Sequence, residues 1–178
     1  MMRKTLSLFT TITLLLFSCN FFGQNFKDLD ASPMDIAAFP LSHNISDKLV
    51  RVMYSRPQLK GRTVASLTPS GKVWRTGANE ATEITFYKNV TFGSKVVSAG
   101  TYTLFTIPGE KEWTVILNSD LNIWGAYDYN SKNDVARIVV PLTYDENELE
   151  AFSMAFNTEG TLFLGWGNLR VAIPIKEN

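Results

Sequence analysis

The sequence predicts an all-β protein: a β-sandwich or jelly roll of about eight or nine short, mainly antiparallel strands, with an extended N-terminal arm. Three observations predict it. From residue 48 onward, short segments of alternating apolar and polar residues recur at regular intervals, and a period of two lays one set of side chains on a buried face. Turn signals built from glycine and proline separate them. The 178 residues, 45% hydrophobic and 19% charged, suffice for one domain with its own core, and are too apolar for a disordered chain and too poorly charged for a coiled coil.

The chain opens with an address. Arg3 and Lys4 precede the apolar run of residues 6–17, the layout of a secretory signal, and the run falls short of the ~20 residues a bilayer helix needs. Two exits are open. Cleavage near Gly23-Gln24 is favoured; the other is acylation of Cys19 within Leu16-Phe17-Ser18-Cys19, where the bulky Phe17 is atypical. The chain then divides into a signal peptide at 1–23, an arm at 24–47 and a single β-sandwich domain at 48–178. The expected location is the periplasm or cell envelope, or outside the cell, with no transmembrane span in the mature chain and a lipid anchor only under the second exit. Cys19 is the only cysteine, so cleavage leaves no disulfide, thiol nucleophile or thiolate metal site. Basic and acidic residues balance at 17 each, which argues against nucleic acid as a partner.

Each element follows from its own residues. The arm carries one strand across residues 35–39, or else a short helix capped by Ser32 and started by Pro33. Residues 49–54 are valine-rich and stop before Pro57. Residues 82–87 put Ile84 and Phe86 on one face and Thr85 and Tyr87 on the other. Residues 90–97 fold back at Gly93-Ser94. Residues 101–107 and 113–118 flank Pro108-Gly109-Glu110-Lys111, the strongest hairpin signal in the chain. Residues 135–140 form a further strand. Residues 144–152, acidic at the start, are the one helical candidate, at most two turns long. Phe152, Met154 and Phe156 share a face, and residues 157–160 make a polar turn. Residues 161–166 and 169–175 close a last hairpin around Gly167-Asn168, with Pro174 ending the strand or marking a sheet edge. Trp74, Trp113 and Trp166 lie in strand-like patterns and are assigned to the core.

Three stretches occur in order: Tyr54-Ser55-Arg56-Pro57-Gln58-Leu59-Lys60-Gly61-Arg62, then Val73-Trp74-Arg75-Thr76-Gly77-Ala78-Asn79-Glu80-Ala81-Thr82, then Ala99-Gly100-Thr101-Tyr102-Thr103-Leu104-Phe105-Thr106-Ile107-Pro108, with Trp113 after them. From about residue 33 to the end, the chain resembles the bacterial domain-of-unknown-function 2911 family. The resemblance implies an exported bacterial protein with an all-β domain. It implies no activity and carries over no catalytic residue. Arg56, Lys60, Gly61, Arg62, Trp74, Arg75, Gly77, Asn79, Glu80 and Thr82 belong to the family pattern.

Candidate chemistry concentrates in two places. Between Arg51 and Gly77 lie Arg51, Arg56, Lys60, Arg62, Lys72 and Arg75, with no acid until Glu80. Guanidinium forks suit carboxylates and phosphates, so convergence would make an anion pocket; the plain structural alternative pairs them with acids such as Asp145, Glu146, Glu148 and Glu150. Arg75, Asn79 and Glu80 surround the small residues Gly77 and Ala78, offering a cation, an amide and a carboxylate on one tight loop, or an ion pair that merely fixes it. Trp124-Gly125-Ala126-Tyr127-Asp128-Tyr129-Asn130 sets three rings beside polar residues: a sugar platform, or further core.

Other chemistries are thinly supported. His43 is the only histidine, so no metal site is assigned and a Ser–His–Asp triad is poorly founded. Asp128, Asn130 and Asp134 read as a polar turn rather than a calcium site. Two carboxylates, Glu80 with Asp128 or Asp134, would suffice for a glycosidase. The candidate ligand-binding set is therefore Arg56, Lys60, Arg62, Arg75, Asn79, Glu80 and Trp124, with no catalytic residue, no metal and no cofactor. The functional expectation is a non-catalytic ligand-binding or accessory module of the cell envelope, taking a small-molecule anion, a sugar or a peptide. The alternatives are a small carboxylate-dependent hydrolase acting on glycans and a purely structural envelope protein.

Overall fold

The computed structural model describes residues 25–178; the secretory signal, the cleavage near Gly23-Gln24 and the acylation of Cys19 fall outside the described residues. Residues 25–33 run without regular structure. Ten strands follow: β1 (Met34–Phe39), β2 (Val50–Ser55), β3 (Glu83–Phe86), β4 (Val90–Phe92), β5 (Lys95–Val97), β6 (Gly100–Ile107), β7 (Glu112–Asn118), β8 (Asp134–Phe156), β9 (Leu162–Ile173) and β10 (Ile175–Glu177), with one short helix, α1 (Val64–Leu67). All strand pairs are antiparallel, in a seven-stranded sheet ordered β1-β2-β3-β6-β7-β8-β9 and a three-stranded sheet ordered β10-β4-β5. The fold is the expected all-β one, and the strand expected across residues 35–39 is β1, paired with β2 over six residues.

Alternation decides the core. Val50, Val52 and Tyr54 of β2, Ile84 and Phe86 of β3, Leu104 of β6 and Val115 and Leu117 of β7 are buried from the large sheet. Against them pack Val90, Phe92, Val97 and Ile175 of the small sheet and Phe152, Met154, Leu162, Leu164, Val171 and Ile173 of β8 and β9, all in one cluster. The rings of Phe86 and Phe92 meet across the sheets at 6.2 Å. Trp74 lies parallel to Trp166 with centroids 6.0 Å apart and meets Trp113 and Phe152 edge-on, so the three core tryptophans form one aromatic cluster.

Two expectations are corrected. Residues 144–152 are strand, not helix: β8 runs unbroken from Asp134 to Phe156, pairing first with β7 and then with β9. A two-turn acidic helix has little stability of its own, whereas Phe152, Met154 and Phe156 each gain a buried position by alternating inward. The acidic residues 145–148 leave the ladder as a bulge between Tyr144 and Leu149. The last hairpin is likewise absent: β9 runs straight through Gly167-Asn168. Gly167, at φ +52, adopts a backbone conformation other residues resist, and so absorbs the offset within one strand instead of reversing it.

The bend in β8 brings it back to the chain beyond β2. The Leu59 N–H donates to the Glu150 carbonyl and the Phe152 N–H to the Pro57 carbonyl, each at 2.9 Å. Arg56 locks this closure: its Nη1 meets Asp35 Oδ2 of β1 at 2.9 Å, its Nε donates to the Phe152 carbonyl at 3.1 Å, and its Nη2 to Ser153 Oγ at 2.8 Å. Beneath it, the buried Tyr54 hydroxyl donates to the Met154 carbonyl and accepts from the Met154 N–H.

Candidate functional site

The segment from Trp74 to Thr82 is wedged beside β6. Trp74 and Thr106 exchange both backbone hydrogen bonds, at 2.7 and 3.0 Å, and the Leu104 N–H donates to the Thr82 carbonyl at 2.8 Å. Between these anchors the backbone is contorted: Thr76 has φ +56 and Asn79 φ +58. Asparagine tolerates that region, but for a β-branched threonine it costs on the order of 1–3 kcal/mol. The cost is offset by an interior hydroxyl chain. Thr82 Oγ1 donates to the Thr76 carbonyl at 2.6 Å and Thr76 Oγ1 lies 3.1 Å from Thr106 Oγ1, with all three threonines fully buried.

This loop holds a second one. The Ala81 N–H donates to the Ile123 carbonyl at 2.8 Å, the Gly125 N–H donates to the Asn79 carbonyl at 3.0 Å, and Glu80 and Trp124 form an isolated β-bridge. Residues 119–133 thereby close over the outer face of the large sheet, where Ile123, Ala126 and Tyr129 cover a small second core of Ala81, Phe105 and Ile116. The far end is moored as firmly. Tyr129 Oη donates to Asp134 Oδ2 at 2.7 Å, Arg137 Nε donates to the same oxygen at 2.7 Å, and Asn118 Nδ2 donates to both Asp134 Oδ1 and the Asn130 carbonyl.

A loop pinned at both ends leaves two rings outside. Trp124 is 61% and Tyr127 82% exposed. Gly125 between them sits at φ +71, and a Cβ there would come within 2.6 Å of the Tyr127 ring. The Tyr127 ring therefore lies close to the Gly125 backbone, with most of its surface in solvent. Glu80, Asp128 and Asn130 are exposed beside the two rings.

The seven sequence candidates separate into two groups. Asn79, Glu80 and Trp124 are brought together by the backbone bonds above. The arginines of the cationic stretch mostly serve the fold. Arg56 is taken up by Asp35, Phe152 and Ser153; Arg62 donates from Nε to the Leu59 carbonyl and from Nη2 to the Gln58 carbonyl. Lys60 occupies a turn at φ +49 with its backbone N–H on Glu150 Oε1. Glu150 thus neutralises no arginine, and of the acidic run Asp145 faces Arg170. The expected Arg75–Glu80 ion pair is absent among the described residues: Arg75 is half-buried with Nε lacking any partner, and Glu80 is exposed. The contorted backbone between them, with Thr76 at φ +56 and Asn79 at φ +58, breaks the strand period that would have set the two side chains by one another, and Glu80 is bridged to Trp124.

Of the two acids expected to partner Glu80, Asp128 is exposed on the outer loop and Asp134 is taken up elsewhere. Asp134 is committed to Tyr129, Arg137 and Asn118. Glu80 instead shares a small concavity of about 110 Å³ with Glu83, between Met34, Met53 and Asn122. The sequence shows Tyr127 only as one of three rings in a polar stretch; the half-burial of Tyr129 and the exposure of Tyr127 needed the sheet beneath them.

Burial raises the Tyr54 phenol above its ordinary range, and burial followed by the hydrogen bond to Asp134 does the same for Tyr129. Both raised values favour the neutral phenol in the native state, so their contribution is complete below the unfolded value of about 10 and is lost as pH rises through the native values. Urea denaturation from pH 8 to 11 should show constant stability up to about pH 10 and a decline beyond it. The Tyr54→Phe, Tyr129→Phe double variant should start lower and decline less; an equally steep decline would refute the assignment.

A family model described as Protein of unknown function (DUF2911) matches residues 36–175, most of the chain. No curated protein and no solved structure matches.

Proposed function

We propose, from the premise that this chain belongs to the DUF2911 family, that it is an exported, non-catalytic accessory module of the bacterial cell envelope that binds a glycan. One observation carries this reading: two large rings, Trp124 and Tyr127, stand in solvent on a loop moored at both ends. Exposed apolar surface of that size on a fixed backbone has the character of a contact surface. Rings lie flat against the C–H face of a sugar, and Glu80, Asp128 and Asn130 beside them supply acceptors for its hydroxyls. Because the loop is already ordered, little conformational entropy is lost on binding. Export rests on the charged start and apolar run of residues 3–17. The internal bonding of Arg56 and Arg62 weighs against a purely anionic ligand at the cationic stretch.

The test is calorimetric titration and thermal shift with cellohexaose, chitohexaose and solubilised peptidoglycan. One of them should raise the melting temperature, and Trp124→Ala and Tyr127→Ala should each weaken it about tenfold. Binding that survives both substitutions would remove the platform, and a flat response to all three would favour a purely structural role. A second reading, glycan hydrolysis, is favoured only by the shared concavity of Glu80 and Glu83. Under it, reducing ends would accumulate and Glu80→Gln would stop them while sparing binding.

A further inference from the structure

A roomy cleft lies elsewhere, on the outer face of the large sheet at the β1–β2 end. Residues 40–48 arch over it. The arch is built by Lys48, whose Nζ donates to the carbonyls of Pro40 at 2.6 Å and Ser42 at 2.8 Å, and by the Leu49 N–H, which donates to the Phe39 carbonyl. The enclosed volume is about 600 Å³, within the range that takes a small molecule. Its apolar side is made by Ile36 and Ala38 from β1, Leu41 and Ile45 from the arch, and Tyr87; His43, Ser46, Asp47, Lys48 and Arg51 make the rest. Ile36, Leu41, Ile45 and Tyr87 are between 42% and 50% exposed, so their apolar surface is open to a ligand in the cleft.

The charges of the cleft do not cancel within it. Asp47 faces Lys88 at 3.4 Å, and the Lys48 ammonium is hydrogen-bonded by two carbonyls that leave its charge uncancelled. Arg51 is the second cation. It rises from the floor of β2, between Ala38 of β1 and Thr85 of β3, and has no acidic partner among the described residues. His43 lines the same space. A cleft with an apolar side and two cations, Lys48 and Arg51, that have no acidic partner among the described residues is complementary to a molecule with one apolar chain and one anionic end.

We propose that the cleft beneath residues 40–48 binds an amphipathic carboxylate, its chain along Ile36, Ala38, Leu41 and Ile45 and its acid on Arg51 with His43 beside it. This site is separate from the Trp124–Tyr127 platform and does not depend on it.

The experiment is calorimetric titration of the exported form, residues 24–178, with hexanoate, octanoate and decanoate below their micelle concentrations, and with decanol and acetate as controls. Decanoate should bind one to one. Each two-carbon shortening should weaken binding several-fold, because every methylene leaves apolar contact. Acetate should not bind measurably, and Arg51→Gln should weaken decanoate about tenfold while leaving decanol unchanged. Ile45→Glu, an exposed substitution on the arch, should abolish decanoate binding without lowering the melting temperature. Trp124→Ala should bind decanoate as the parent does, so a failure of the glycan reading leaves this result standing. No decanoate binding, affinity independent of chain length, or an Arg51→Gln variant that binds normally would overturn the proposal.

Discussion

Replacing Trp74 by alanine should lower the unfolding free energy by about 4 kcal/mol, near the upper end for an aromatic truncation in a core. The ring is 5% exposed. It lies parallel to Trp166, with an interplanar angle of 8° and centroids 6.0 Å apart, and meets Trp113 at 6.0 Å and Phe152 at 5.4 Å. Its removal empties the point where β7, β8 and β9 converge, and neighbours as large as two indoles cannot collapse into the space. Trp74→Phe keeps part of the cluster and should cost about 1–2 kcal/mol. Urea denaturation reads both, with an unchanged dependence on denaturant showing that the native state is still compact. A loss below about 1 kcal/mol for the alanine variant would mean that the cluster is not the centre of the core. The two hydrogen bonds between Trp74 and Thr106 are made by the backbone, so the alanine variant keeps the anchor of the strained loop and its loss should fall on stability.

The second large effect is at Arg56. Arg56→Met should cost about 2 kcal/mol. An exposed ion pair contributes about 0–1 kcal/mol, and with 35% of the Arg56 side chain and 42% of the Asp35 side chain exposed the Asp35 contact belongs in that range. The larger part comes from the Phe152 carbonyl and the Ser153 hydroxyl, which lose charge-assisted hydrogen bonds of roughly 1.5 kcal/mol or more each before discounting for partial exposure. Arg56→Lys restores the charge but not the three-way fork, and should recover less than half of the loss. Asp35→Asn should cost under about 1 kcal/mol. Hydrogen exchange should accelerate first in β1, the strand that Asp35 holds to the closure. Equal losses for Asp35→Asn and Arg56→Met would show that the ion pair, rather than the bonds to β8, carries the effect. The same variant should bind the glycan normally, in keeping with its place in the fold rather than in the site.

Much of the architecture was legible locally. Ile84 and Phe86, or Phe152, Met154 and Phe156, declare a buried face because strand geometry sends alternate side chains the same way whatever the partner is. Turns at Gly93-Ser94 and Pro108-Gly109 were readable because few residues fit them. The errors arose where local chemistry had more than one outcome. Acidic residues 145–148 fit a helix start as well as a bulge, and Gly167-Asn168 fits a reversal as well as a single left-handed residue inside a strand. Only pairing with β9 decides between them, and that partner lies beyond the local segment.

The site divides in the same way. From the sequence alone came the strand period, the core tryptophans, the loop from Trp74 to Thr82 and the polar aromatic stretch from Trp124 to Asn130, because each depends on residues adjacent in the chain. Tertiary structure decided the rest. It sent Arg56 to Asp35 and the β8 backbone, separated Arg75 from Glu80, packed Tyr129 partly under the outer loop while leaving Tyr127 in solvent, and folded residues 40–48 over Ile36 and Arg51. The physical reason is that a side chain's period fixes the face it occupies, whereas its partner and its access to water depend on what distant strands place against that face.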